Sequence, residues 1–212
     1  MADARDGWLG PVSGSLRNTG GGPHPRQDSS HPHAVTFDPS GRFLGTADLG
    51  IDKAEIFRLA GGGLRRVSEV SVPSGMGPRH IAFSHDARTP YVIGELDGNI
   101  ASFAYDAATG TVGRALQTVP TAPADYTGGQ GGAEIAVHPS GHFLYGSNRG
   151  PRTIAGYRIN GSAEGLTPLG FATEGVRGPT SFAVDPRSGE LTPTGNTTSV
   201  PAPGVIAFGA PN

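Results

Sequence analysis

Residues 33–59, HAVTFDPSGRFLGTADLGIDKAEIFRL, are one copy of a repeat. A β-run (34–37) meets an Asp38-Pro39-Ser40-Gly41 turn. A second β-run (42–47), a polar loop (48–53) and a third run (54–59) follow. Pro presets φ in such a turn, Gly accepts positive φ, and the Asp carboxylate takes a backbone N–H ahead of it. The pattern returns over 80–106, HIAFSHDARTPYVIGELDGNIASFAYD, and over 134–160, EIAVHPSGHFLYGSNRGPRTIAGYRIN. Aligning Phe37, Phe83 and Val137 gives offsets of 46 and 54 residues. Repeats of about 40–50 residues, each holding several strands, are the mark of β-propeller blades. The fold class is therefore all-β.

Between the repeats, 65–72 alternates polar and apolar residues as a half-buried strand does, and 111–119 and 165–173 read as further strands. Two long Gly/Pro-rich loops stand out. One, 16–30, closes at His31-Pro32-His33; the other is 120–132. Loops of this length in a compact domain are often functional. The start, 7–12, reads as a loop entering a strand, and 200–208 as a last apolar strand. The stretch 178–195 opens like a new blade, yet the strands between its two turns are missing. The expectation is one partial propeller domain over 1–212, degenerate over 165–208, with about four blades' worth of chain at about 45 residues each. The 35 glycines and 19 prolines suit many short strands joined by turns.

No cysteine is present, which removes disulfides, a thiolate nucleophile and Cys-held metals. A net charge of -2, scattered along the chain, points away from nucleic acid and anionic membranes. No apolar run approaches the roughly 20 residues of a membrane span. The start MADARDGWLGPV lacks the basic-then-apolar order of a secretory signal, so a cytoplasmic protein is expected.

Equivalent positions in successive blades face the same rim. At the 46-residue offset His33 matches Arg79, and at the 54-residue offset Glu95 matches Arg149. Asp48 is their counterpart in the first repeat to within one residue, and Glu134 opens the third repeat where Arg79-His80 opens the second. Two arginines, a carboxylate and one or two imidazoles around a channel suit an anionic substrate, because the guanidinium fork fits carboxylate or phosphate oxygens. In such a site Glu95 is a candidate base, or the group that orients His31 or His33 to act as one. Arg79 and Arg149 would hold the acid group and stabilise the oxyanion. Plainer readings stand beside these: His80 as a strand cap, Asp48 as a turn former, Glu95 with Arg149 as a rim ion pair, and Glu134 as a partner for a backbone amide. Asp48 and Asp52 fall short of a calcium loop. His24, His138 and His142 read as loop and turn surface residues, since Pro139 and Gly141 forbid the helix that a 138/142 zinc pair needs. Ser147 and Ser181 lack a nucleophile elbow.

The segments HPHAVTFDPSGRFL, DLGIDK, GPRHIAF, GELDGNI, Ala133-Glu134-Ile135, HPSGHFLYGSNRG and GELTPTG with VPAP together resemble the lactonase-type seven-bladed β-propellers. That family includes propeller-type 6-phosphogluconolactonases and 3-carboxymuconate-lactonising enzymes. The resemblance spans most of 7–208. It implies a lactone hydrolase acting on 6-phosphogluconolactone without a metal or redox cofactor. A muconate-type lactonising cycloisomerase and a non-catalytic propeller fragment are the alternatives. It also implies that the HPH histidine (His31 preferred, His33 also matching), Arg79, Glu95 and Arg149 are active-site residues. Family chains are longer and carry a full blade where this one passes from Gly178-Pro179 to Val184-Asp185-Pro186. The expectation is a chain truncated at its N-terminus and internally deleted, with open blade edges able to self-associate.

Overall fold

The computed structural model describes residues 12, 14–61, 63–161, 165–182 and 184. They form three four-stranded antiparallel sheets, each a meander in chain order. The first holds β1 (Pro32–Phe37), β2 (Phe43–Asp48), β3 (Lys53–Ala60) and β4 (Gly63–Ser71). The second holds β5 (Pro78–Phe83), β6 (Pro90–Gly94), β7 (Asn99–Asp106) and β8 (Thr111–Pro120). The third holds β9 (Gly132–Val137), β10 (Phe143–Asn148), β11 (Thr153–Ile159) and β12 (Leu166–Ala172). The apolar run after residue 165 is thus the outer strand of the third sheet. The expected strand over 200–208 and most of 178–195 lie outside the described residues.

The sheets stack as propeller blades, with β1 beside β5 and β5 beside β9. One core fills the gap between the first two sheets, from Phe43, Ile56, Ile81, Phe83, Val92 and Phe103. A second fills the next gap, from Tyr91, Ile93, Ile100, Ile135, Leu144 and Tyr157. Gly45 makes the first contact tight, since a Cβ there would lie 2.9 Å from the Phe83 ring. The outward face of β1 is different: Val35 and Phe37 are 65% and 52% exposed.

The turn between the first two strands of each blade is built three ways. In the first blade the Asp38 carboxylate accepts from the N–H groups of Arg42 and Phe43, and Gly41 takes φ 68°. In the third, the His138 Nδ1 takes the carboxylate's place by accepting from Ser140 N, with Gly141 at φ 76°. His138 is therefore not the surface residue expected of it; it is 5% exposed and packs on Phe143. In the second blade the Pro-Ser-Gly signal is missing, yet the turn persists. Ser84 Oγ accepts from Arg88 N and Thr89 N, and Ala87 takes the left-handed position at φ 54°. That conformation costs an L-residue roughly 1–2 kcal/mol, and glycine almost nothing. Ala87→Gly is expected to stabilise the chain by about 0.5–1 kcal/mol, a rise of about 1–4 °C in a thermal unfolding scan. A fall in midpoint would show that Ala87 contributes packing that outweighs its backbone strain.

Candidate active site

The inner strands β1, β5 and β9 all start at the same end of the stacked sheets, and each pairing with its neighbour is irregular there. Pro32 pairs with Asp48 and Ala34 with Ala47, which leaves His33 extra. Pro78 pairs with Gly94 and His80 with Ile93, which leaves Arg79 extra. Gly132 pairs with Asn148 and Ile135 with Gly146, so Ala133 and Glu134 face Ser147 alone. Such bulges re-aim side chains and let neighbouring residues point to the same side. The repeat-equivalent residues His33 and Arg79 are thus both bulge residues.

Glu95 lies just beyond β6, with its backbone N–H on Gly77 O at 2.8 Å. It is 7% exposed. Three guanidinium groups surround its carboxylate. Arg79 Nε is 3.0 Å from Oε2, Arg149 Nη2 is 2.9 Å from Oε1, and Arg26 Nη1 is 2.8 Å from Oε1. Arg149 follows β10, and both its backbone N–H and its Nε donate to Gly131 O, at 2.9 and 3.1 Å. The Gly-rich loop fits there because it has no side chains to spare: a Cβ on Gly132 would sit 2.0 Å from Gly94 O.

Arg79 Nη1 donates to Ala133 O at 2.9 Å and lies 3.2 Å from His80 Nε2. With a donor on Nε2, the His80 proton belongs on Nδ1, which is 2.9 Å from Glu134 Oε1. Ser181 Oγ donates to the other Glu134 oxygen at 3.3 Å. The His33 ring lies 5.2 Å from the His80 ring, centroid to centroid, and is itself exposed at the mouth.

The electrostatics divide the roles. Burial pushes the Glu95 pKa up, but hydrogen bonds from Arg26 and Arg149 outweigh it and hold the carboxyl below its ordinary range. Burial likewise raises Glu134, but the hydrogen bond and charge of His80, with hydrogen bonds from Ile135 N and Ser181, together hold it below its ordinary range. Partial desolvation by its neighbours, with the Arg79 charge second, pushes the His33 pKa down and so favours the neutral imidazole. A carboxylate gripped by three guanidiniums is a poor proton acceptor; an exposed neutral imidazole is a good one.

Two expected site residues fall elsewhere. His31 Nε2 lies 3.0 Å from Asp28 Oδ1, with the ring about half exposed, so this preferred histidine is held away from Glu95 by a local carboxylate. Asp48 is fully buried and accepts from Ser30 Oγ (2.6 Å), His31 N (2.7 Å), Gly50 N (3.0 Å) and Asn18 Nδ2 (3.2 Å). With its oxygens filled by donors, it fixes the approach to β1 rather than meeting a ligand. Asp52 is filled in the same way by Gln27 Nε2, Gly75 N and Gly77 N. Arg26 and His80 are the members that sequence reasoning missed; Glu134, an expected site residue, is brought in as the partner of His80. Arg26 is carried by the 16–30 loop, which the 1%-exposed Gln27 ties down through Leu49 O and Asp52. The length of that loop is the signal that pointed to it. A hollow of about 360 Å³, between the Ser84 and Ser140 turns, lies at the other end of the strands.

Among the described residues no helix is long and apolar enough to cross a membrane. A family described as lactonase, 7-bladed beta-propeller, matches residues 2–187. A 6-phosphogluconolactonase of Bacillus subtilis is 33% identical over 225 residues, covering 96% of this chain and 64% of that protein. The periplasmic gluconolactonase of Pseudomonas aeruginosa superimposes with a TM-score of 0.78 at 30% identity, over 88% of this chain and 59% of that one. A protein from Lactobacillus plantarum does so with a TM-score of 0.70 at 38% identity, over 74% and 46%. The chain spans about half the length of most curated relatives it matches. The repeat, the three stacked sheets and the match over 2–187 agree: this chain belongs to the lactonase, seven-bladed β-propeller family.

Proposed function

We propose that the site hydrolyses a sugar lactone, with 6-phosphogluconolactone opened to 6-phosphogluconate. The observation that carries this reading is an exposed His33, its ring against His80, beside a cluster of three arginines on one carboxylate. The names of the relatives support it: one is a 6-phosphogluconolactonase and one a gluconolactonase.

In the mechanism, His33 takes a proton from water as the oxygen attacks the lactone carbonyl carbon. The carbonyl oxygen becomes an oxyanion. Arg149 faces it best, because its Nε and Nη2 are committed to Gly131 and Glu95 while, among the described residues, Nη1 is not. Collapse of the intermediate breaks the bond to the ring oxygen, which leaves with the proton from His33. The product is the open hydroxy acid. Glu95 keeps the guanidiniums in place, and Glu134 and Arg79 fix the His80 ring against which His33 rests.

Loss of one preorganised oxyanion donor typically costs about 10²–10³-fold in kcat. Arg149→Ala is expected to lose that much turnover of 6-phosphogluconolactone after spontaneous hydrolysis is subtracted. If the folded wild-type chain shows no rate above the spontaneous one, the reading is wrong.

A further inference from the structure

Beside the cluster, on the far side of Arg149, lies an open cleft of about 870 Å³. Its walls include Arg149, Arg152 and Arg177, and the rest of its lining is small or apolar: Pro151, Thr173, Gly175, Val176 and Gly178. Among the described residues no carboxylate lines it; Glu174 belongs to the same segment but not to the wall. Among the described residues neither Arg152 nor Arg177 has an ion pair or a side-chain hydrogen bond, whereas Arg26, Arg66, Arg79 and Arg149 are all paired with Glu.

The backbone at Arg152 makes its presence harder to explain by the fold alone. Each blade has a left-handed residue just before its third strand: Asp52 at φ 51°, Gly98 at φ 68° and Arg152 at φ 57°. In the second blade that residue is glycine, which takes the conformation freely. In the first it is Asp52, whose carboxylate binds Gly75 N and Gly77 N and so stitches two loops together. In the third it is an arginine that carries the backbone cost and makes no such bond. Strain that the fold does not need tends to sit at functional sites. What Arg152 provides is a third cation on a wall that already holds Arg149 and Arg177.

We propose that this cleft seats a phosphate monoester on the substrate, held by Arg152 and Arg177, while Arg149 stands between the phosphate and the lactone carbonyl. The inference rests on the lactonase reading of the neighbouring cluster and names what that reading leaves open, the determinants of selectivity for a phosphorylated lactone. A dianion with three acceptor oxygens matches a set of guanidinium forks, which bind phosphate in a directed way.

The test compares the intact wild-type chain with Arg152→Gly, Arg177→Ala and the double variant. Glycine is the right replacement at residue 152 because it relieves the left-handed backbone, so Arg152→Gly should fold at least as stably. The readout is the ratio of kcat/KM for 6-phosphogluconolactone to that for unphosphorylated glucono-lactone. Each charge-assisted phosphate contact is worth about 10–100-fold, so each single variant should lower the ratio by about that factor, mainly through KM of the phosphorylated lactone. An unchanged ratio overturns the proposal. If the wild-type chain opens neither lactone, the lactonase reading fails and calorimetry with 6-phosphogluconate decides the cleft separately. Binding that weakens at least tenfold in the double variant sustains the phosphate seat. Binding that is absent in the wild type, or equal in both, removes it.

Discussion

Glu95→Gln is expected to lower stability by about 3 kcal/mol near neutral pH and to abolish most turnover. Glu95 is buried, and its carboxylate is the common partner of Arg26, Arg79 and Arg149. Removing one partner of a buried ion pair costs about 3–5 kcal/mol, because the remaining charge is left without compensation. Arg79 bears that cost, since its side chain is only 5% exposed; Arg26 and Arg149 can turn towards water. The thermal midpoint should fall by on the order of 10 °C. The effect has a signature in pH. The folded-state pKa of Glu95 lies below its ordinary value of 4.5. Its contribution is complete above that value and is lost as pH falls through the folded-state pKa. The gap in midpoint between wild type and variant should therefore be widest near neutral pH and close in acid. A gap that stays constant as the pH is lowered would mean that Gln disturbs packing and that the carboxylate charge matters little.

The fold was legible because a β-propeller states its plan several times. The offsets that align Phe37, Phe83 and Val137 also align His33 with Arg79 and Glu95 with Arg149, and the Arg79–Glu95–Arg149 cluster followed from that register. What escaped lies outside the period or inside a bulge. Arg26 arrives from the loop ahead of the first repeat, outside the segments that the offsets align, so no offset points to it. His80 follows Arg79 directly, and a regular strand would send the two side chains to opposite faces. The bulge at Arg79 breaks that alternation and brings both to the site, which no residue pattern announces. Asp48 misled for the opposite reason. It sits where Glu95 and Arg149 sit in their blades, but the first blade has the 16–30 loop packed over this position. The carboxylate is used up by Ser30, His31, Gly50 and Asn18.

The same bulge geometry separates two histidines that the sequence presents together. His31 and His33 flank Pro32, and either matches the HPH motif. Only His33 is the extra residue of the β1–β2 pairing, and its ring rests near His80 while that of His31 is on Asp28. Substituting a general base typically costs about 10²–10⁴-fold in rate. His33→Ala is expected to show that loss in kcat, and His31→Ala to change kcat by less than about threefold, given that surface changes outside the site are small. The pH profile should separate them further. A base must be deprotonated to act, so the wild-type rate should fall on the acid side with a midpoint below the ordinary histidine value of 6.5, in the direction that burial and the Arg79 charge impose on His33. His33→Ala should lose that limb and leave a low, flat rate; His31→Ala should keep it. If the His31 variant loses the acid limb instead, the proton passes through the Asp28–His31 pair. The bulge at His33 would then serve the shape of the strand and not the chemistry.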